Sequence, residues 1–277
     1  MDFLRTLRQS LAMNISAVII AGNEEERIAD AIRSVEWVDE VIVIDSESTD
    51  RTRQIAEEMG AYVITRPWPG FAAQKQFGVD TASFDWILSL DADERISPAL
   101  RDEIHGVRNT PVSLRADGYK VPRLTYYMGR AIRHSGWYPD WQLRLFDRTK
   151  GKWKGVLIHE SFGMSPDAKV EKLTCEITHF STEGALHHHK MIGERYAPLA
   201  ARQMFNDGKA TTPLKIATAG IAAFLSTYIL KRGFLDGLAG FCIACFASHH
   251  AFLKNLCLWE LQNGENGLPG RRVSKSN

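Results

Sequence analysis

The first ninety residues predict an α/β protein built on a doubly wound, mainly parallel sheet. Three observations carry this. Short apolar runs rich in β-branched residues recur at 15–20 (ISAVII), 40–44 (EVIVI) and 86–90 (WILSL). Segments with helical spacing separate them. Each run ends in a polar residue: Asn23, Asp45 and Asp91 each fall just after a strand. In such sheets ligands bind outside the carboxyl ends of the strands.

The elements follow in order. A continuous apolar run such as ISAVII fits a strand buried on both faces. In the next segment, AGNEEERIADAIRSV, Asn23 reads as an N-cap, acids fill the first turn, and Ile28, Ala31, Ile32 and Val35 repeat at helical spacing. EVIVI is the second strand, followed by DSESTD and the helix DRTRQIAEEMG, with Gly60 as its C-terminal stop. AYVIT is a third strand, FAAQKQFGVDTA a helix, and DWILSL a fourth strand. Beyond Ile104 the pattern changes. RADGYKVPRLTYYMGRAIRHSG alternates and carries Gly, Pro and aromatics, which predicts antiparallel or irregular strands.

Composition sets outer limits. The 277 residues suffice for one large domain or a domain with an appendage, and 44% are hydrophobic. The formal net charge of +1 gives no global field for nucleic acid. The N-terminal fourteen residues read as too short and too polar for a signal peptide. Of the four cysteines, Cys242 and Cys245 form a CxxC spacing in an apolar stretch, and nothing nearby completes a zinc site. They and Cys175 and Cys257 read as buried thiols in a reducing compartment.

The candidate chemistry lies in LSLDADE. Asp91 and Asp93 are one residue apart at a strand end, and Glu94 adds a third carboxylate. Two carboxylates there can hold Mg²⁺ or Mn²⁺, a hard cation that takes oxygen ligands together with substrate phosphates and neutralises a diphosphate leaving group. Asp45, one strand over, could accept hydrogen bonds from a base or sugar. Neither GxGxxG after the first strand nor GxxxxGK[ST] occurs, which excludes a dinucleotide fingerprint and a P-loop.

The motifs AGNEEERI, VIDSESTDRT and LSLDADE, in this order and spacing, resemble the inverting family 2 glycosyltransferases of the GT-A fold. Ser46 and Glu47 stand where that family usually has a second Asp and a Gly. HSGWYPDWQLRLF, GKWKGVLIHE and THFS resemble more narrowly the lipopolysaccharide core β-1,4-glucosyltransferases, over about residues 14–200. The resemblance implies a metal-dependent hexosyltransferase using a nucleotide-sugar donor, UDP-glucose, on a lipid-linked saccharide acceptor such as the inner core of lipopolysaccharide. The donor-binding candidates are Asn23, Glu24, Asp45, Gln74, Asp91 and Arg144. The metal candidates are Asp91, Asp93 and His159. Arg144 could pair with the diphosphate.

An inverting transfer needs one base for the acceptor hydroxyl. Asp140 lies among Trp137, Tyr138 and Trp141, where partial desolvation would make it a better base. Glu160 is the alternative. The His187–His189 triple reads as a solvated or membrane-proximal helix, because three consecutive residues cannot face one ion. Residues 213–233 and 234–261 read as two apolar helices, short of the roughly 20 apolar residues of a spanning helix. Lys231, Arg232, Lys254 and Trp259 suit a headgroup region. The expected arrangement is a helical pair lying on the inner face of the cytoplasmic membrane. Burial against the catalytic domain and true spanning are the alternatives.

The expected division is a nucleotide-sugar-binding half at 14–108, an acceptor-binding and catalytic half at 109–208, a membrane-associating helical region at 209–262 and a disordered tail at 263–277. Two rival functions are a transferase acting on polyprenyl phosphate and a non-catalytic sugar-nucleotide or glycan-binding scaffold.

Overall fold

The structure, a computed structural model, describes residues 13–156, 159–180 and 184–264, with the side chains of 156, 159 and 160 outside the description. The chain divides into two compact units: residues 1–126 with 137–181, and residues 127–136 with 182–277.

The first unit opens as the sequence predicts. Strands β1 (Ile15–Ala21), β2 (Glu40–Asp45), β3 (Tyr62–Thr65) and β4 (Trp86–Asp91) lie parallel in the order β3-β2-β1-β4. Alternation then sorts their side chains to two faces. Ile15, Ala17, Ile19, Leu88 and Leu90 pack against helix α1 (Ile28–Val35) and helix α2 (Thr52–Glu58), with Leu100 and Ile104 of α4 (Pro98–Arg108). Val18, Ile20, Ile42, Ile44 and Ile87 face helix α3 (Phe71–Thr81), together with Phe146, Trp153 and Phe162. Burial of both faces is the reason these strands read as continuous apolar runs.

Helix α3 lies close on the sheet because of Gly78. A Cβ there would sit 2.4 Å from Val18 Cγ1 and 3.1 Å from Ile44 Cγ1. That close approach buries Gln74 and Lys75, one turn earlier, against the ends of β2 and β4.

The sheet does not stop at the fourth strand. Strand β5 (Glu94–Ile96) follows at once, then β6 (Gly118–Tyr127), with β7 (Arg130–Ala131) in the other unit. Strand β8 (Asp140–Asp147) lies antiparallel between β4 and β6. β9 (Gly151–Val156) and β10 (His159–Met164) form a separate hairpin. β11 (Val170–Lys172) pairs with β6, and β12 (Ile177–Phe180) joins β6 to β5. One mixed sheet, β3-β2-β1-β4-β8-β6-β12-β5, thus runs through both the donor and the acceptor regions expected from sequence. The sheet is mixed and mainly parallel, as the sequence predicts.

One local expectation is corrected. Asn23 is not the N-cap of the first helix, which begins at Ile28 after Arg27. Asn23 sits in the left-handed region at φ 56°, which Asn tolerates better than most residues. Its Oδ1 accepts from Thr49 N at 2.9 Å, so it laces the first strand-end loop to the second.

The second unit is helical: α5 (Ala185–Lys190), a π-helical turn at Met191–Tyr196, α6 (Ala197–Asn206), α7 (Pro213–Leu225) continued by a π turn to Leu230, and α8 (Gly237–Asn263). The two apolar helices form near their expected bounds, and the expectation that they fall short of a spanning length is corrected. Pro213–Leu230 and Gly233–Asn263 are both long and apolar enough to cross a membrane, with only 11% and 22% of their apolar windows buried. Residues 265–277, most of the expected tail, lie outside the described residues.

Gly78→Ala should destabilise the fold by about 1–3 kcal/mol, the range for overpacking a tight contact. Urea unfolding of the variant checks this. Wild-type stability would mean that α3 has room to shift.

Candidate active site

The strand ends and the loops after them assemble one polar site within the first unit. It is built in three tiers.

The first tier is a loop lattice. After β1, Asn23 N donates to Ser48 Oγ at 2.9 Å and Glu24 N to Thr52 Oγ1 at 2.7 Å. After β2, Asp45 is almost fully buried, and its Oδ2 accepts from Ser48 N at 3.1 Å. Asp45 Oδ1 is buried and accepts nothing among the described residues. Gln74 Nε2 donates to Ser46 Oγ at 3.1 Å, whereas Gln74 Oε1 is likewise buried without a donor. Ser46, where the resembled family usually has an acid, therefore serves as the acceptor that orients Gln74.

The second tier is a chain of alternating charges. Lys75 Nζ lies 2.9 Å from Asp91 Oδ1 and 5.0 Å from the centre of the Trp153 ring. Arg144 donates to Asp91 Oδ2 at 3.1 Å and to Glu94 Oε1 at 2.5 Å. Glu94 is wholly buried, and its Oε2 accepts from Asp91 N at 3.1 Å. Arg123 NH1 lies 3.6 Å from Glu94 Oε1, and Arg123 Nε and NH2 both donate to Asp140 Oδ2, at 2.9 and 2.6 Å. Arg123 and Asp140 are direct partners in the β6–β8 pairing, so backbone register sets this contact. Burial by itself would raise the Asp91 carboxyl, but Lys75 and Arg144 outweigh it and hold the group well below the usual carboxylate range. Burial would likewise lower Arg144; Glu94 and Asp91 reverse that and push it up.

The third tier is Asp93. Its Oδ2 lies 3.3 Å from His179 Nε2, while His179 Nδ1 pairs with Thr125 Oγ1 at 3.1 Å. The backbone supports this, since His179 is the register partner of both Glu94 and Thr125. Asp93 Oδ1 is buried with no donor among the described residues.

The sequence-predicted residues therefore divide. Asp45, Gln74, Asp91, Asp93, Asp140 and Arg144 lie in this site or border it. Asn23 and Glu24 hold the loops, Glu24 also pairing with Arg27 at 3.1 Å. Arg144 meets Asp91 and Glu94, where pairing with a diphosphate was expected. Asp140 is met by Arg123, and Gln142 Nε2 donates to its Oδ1 at 2.8 Å, so a guanidinium rather than aromatic faces is its immediate partner. The side chains of His159 and Glu160 lie outside the described residues. Sequence reasoning gave no role to Lys75, Glu94, Arg123 or His179. A lysine within an otherwise apolar-packed helix, and a histidine one residue from a strand end, were the available signals.

Among the described residues no group of three or more His, Cys, Asp and Glu is placed to hold a metal. The pair Asp93–His179 still suits a cation that takes the rest of its ligands from phosphates and water. Asp93 has a buried oxygen with no donor, and in the tautomer whose Nδ1 donates to Thr125 Oγ1, His179 Nε2 is an acceptor nitrogen beside it. Asp91 suits a metal less, because cations already meet both its oxygens.

The family model described as Glycosyl transferase family 2 matches residues 16–166. An uncharacterised glycosyltransferase of Rickettsia typhi is 32% identical over 257 residues, covering 89% of this chain and 87% of that one. The lipopolysaccharide core biosynthesis glycosyltransferase LpsC of Rhizobium meliloti is 30% identical over 253 residues, 86% of this chain and 89% of LpsC. Among solved structures, S. aureus TarS 1–349 in complex with UDP-GlcNAc shares 16% identity over 91% of this chain and 92% of that chain, with a TM-score of 0.47.

Arg144→Met should cost about 3–5 kcal/mol, because it leaves Glu94 buried with its closest cation removed. The depressed Asp91 carboxyl makes a signed forecast. Its stabilisation is complete above the unfolded carboxyl pKa, about 3.9, and is lost as pH falls below it toward the folded value. Asp91→Asn should lower stability at neutral pH and flatten that acid limb. Denaturation curves from neutral pH to about pH 2 test both variants; parallel acid limbs would remove the assignment.

Proposed function

The chain belongs to glycosyltransferase family 2, and from that premise we propose that it is an inverting, metal-dependent hexosyltransferase that moves glucose from UDP-glucose to a lipid-linked saccharide, the inner core of lipopolysaccharide. The observation that carries the proposal is the set of buried acceptors without donors: Asp45 Oδ1 and Asp93 Oδ1 at or just after strand ends, and Gln74 Oε1 on the helix that packs beside them. A buried polar atom costs free energy unless a partner arrives. A nucleotide supplies donors, from base and ribose, to the first two. A cation travelling with the diphosphate suits the third.

Each residue then has a part. Asp45 and Gln74 bind the nucleoside. Lys75 and Arg144 hold Asp91 ionised beside the diphosphate. Asp93 with His179 would hold Mg²⁺ or Mn²⁺, and His159 is a further candidate ligand. The cation, when bound, offsets the negative charge that develops on the leaving diphosphate. Asp140 takes the proton from the acceptor hydroxyl as that oxygen attacks the anomeric carbon. Arg123 aims the carboxylate through Oδ2, and Oδ1, which accepts only from Gln142 among the described residues, keeps a lone pair for the proton. A single displacement of this kind inverts the anomeric centre.

The acceptor class draws support from the LpsC likeness and from the second unit. Leu214, Ile221, Leu225, Leu230, Leu238 and Phe241 are exposed large apolar residues, an arrangement suited to a peripheral position on the inner face of the cytoplasmic membrane.

Incubating the protein with a panel of sugar nucleotides and core-oligosaccharide acceptors should give glucose transfer from UDP-glucose, abolished by EDTA, with opposite anomeric configuration in product and donor by NMR. Retained configuration or full activity in excess EDTA would overturn the mechanism. Asp140→Asn should lower turnover by about 10²- to 10⁴-fold with donor affinity unchanged. A wild-type rate for Asp140→Asn, with the large loss falling on Glu160→Gln, would move the base to Glu160.

A further inference from the structure

The turn between the two long helices is joined to a distant loop. The loop is residues 127–136, which belongs to the same compact unit as the helices. Ser135 N donates to Lys231 O at 3.0 Å. Arg130 NH2 donates to Leu235 O at 3.2 Å. Asp236 is almost fully buried beneath them and accepts from Arg133 N, His134 N, His134 Nδ1 and Ser135 Oγ. The turn itself is tightly closed: Arg232 is left-handed at φ 54°, and a Cβ on Gly240 would lie 1.9 Å from Gly233 O. Loop and turn therefore form one rigid tip.

The outer surface of that tip has a definite chemistry. Met128, Ile229, Leu230, Phe234, Leu235 and Leu238 are all exposed, Leu230 to 78% and Leu238 to 68%. Arg130, Lys231 and Arg232 stand exposed among them. Across residues 127–136 and 227–241 the single acidic residue is Asp236, and it is buried. Exposed apolar side chains interleaved with cations, without surface carboxylates, match the boundary between acyl chains and anionic headgroups. A peptide or protein partner would have to cover the apolar residues and answer three cations at once, whereas an anionic lipid surface does both.

We propose that this tip is a wedge that enters the acyl-headgroup boundary of an anionic phospholipid membrane, with Leu230, Phe234, Leu235 and Leu238 inserted and Arg130, Lys231 and Arg232 on the lipid phosphates. The inference rests on the peripheral membrane reading above and makes it specific: the tip, rather than the flanks of the two helices, bears the contact. Strand β6 ends at Tyr127, where the loop begins, so the chain passes directly from the sheet that carries Arg123 into the wedge.

The test is co-sedimentation of the full chain with phosphatidylcholine vesicles carrying or lacking phosphatidylglycerol. Wild type should pellet with the anionic vesicles and be released by salt. Arg130→Gln/Lys231→Gln/Arg232→Gln should lose about fivefold in partitioning per residue removed. Leu230→Ser/Phe234→Ser should lose binding to the anionic vesicles although its cations remain. Circular dichroism, and donor binding in the first unit, confirm folding. Wild type that ignores every vesicle overturns the membrane reading and the wedge together. Variants that pellet as wild type does overturn the wedge alone and move the contact to the helix flanks. If the apolar variant instead dissolves a dimer and keeps its vesicle binding, the tip is a self-association surface and the proposal fails.

Discussion

Glu94 is the constraint around which the site is arranged. A carboxylate with no exposed surface survives only if its charge is answered at close range. Arg144 from β8 does so, with Arg123 from β6 behind it and Asp91 N at the other oxygen. These contacts draw four strands, β4, β5, β6 and β8, to one point. Asp91 is held by the same guanidinium, and Asp140 by the other arginine. Replacing Glu94 by an apolar residue would lose the common anchor of both halves of the sheet.

Such networks are weak devices for stability, because desolvation offsets much of the Coulomb attraction. Their use here is positional. The charges of Lys75, Asp91, Arg144, Glu94, Arg123 and Asp140 pair with one another. Asp45, Gln74 and Asp93 each keep one buried oxygen open. A ligand that brings a nucleoside and a cation completes the latter set without disturbing the former. This separation of scaffold charges from ligand acceptors is the physical content of the proposed donor site.

The parallel half was legible in the sequence because burial on both faces leaves a simple signature. β1, β2 and β4 each appear as apolar runs, and Gly60 ends α2 at φ 82° as a C-terminal stop should. The positions of Asp45 and Asp91 followed from strand ends alone. The network did not follow, because it depends on antiparallel pairings over long sequence separation. Nothing near Arg123 announces that register will set it opposite Asp140, nor that β12 will carry His179 to Asp93. Asn23 misled for a related reason: its side chain answers Thr49 of another loop, and only the folded lattice reveals that partner. The apolar helices were legible near their observed bounds, yet they read as too short to span because charged residues interrupt the apolar run, while α8 continues through Lys254 to Asn263.

On the proposed reading Asp93, with His179, meets the diphosphate through a cation, while Asp91 is committed to the scaffold. Calorimetric titration of UDP into the full chain, with and without Mn²⁺, tests it most directly. Mn²⁺ should tighten UDP binding in wild type, and Asp93→Asn and His179→Ala should each lose that increment while keeping the metal-free affinity. Binding of UDP that is equally tight with and without Mn²⁺ in wild type, or an undiminished Mn²⁺ increment in Asp93→Asn, would contradict it.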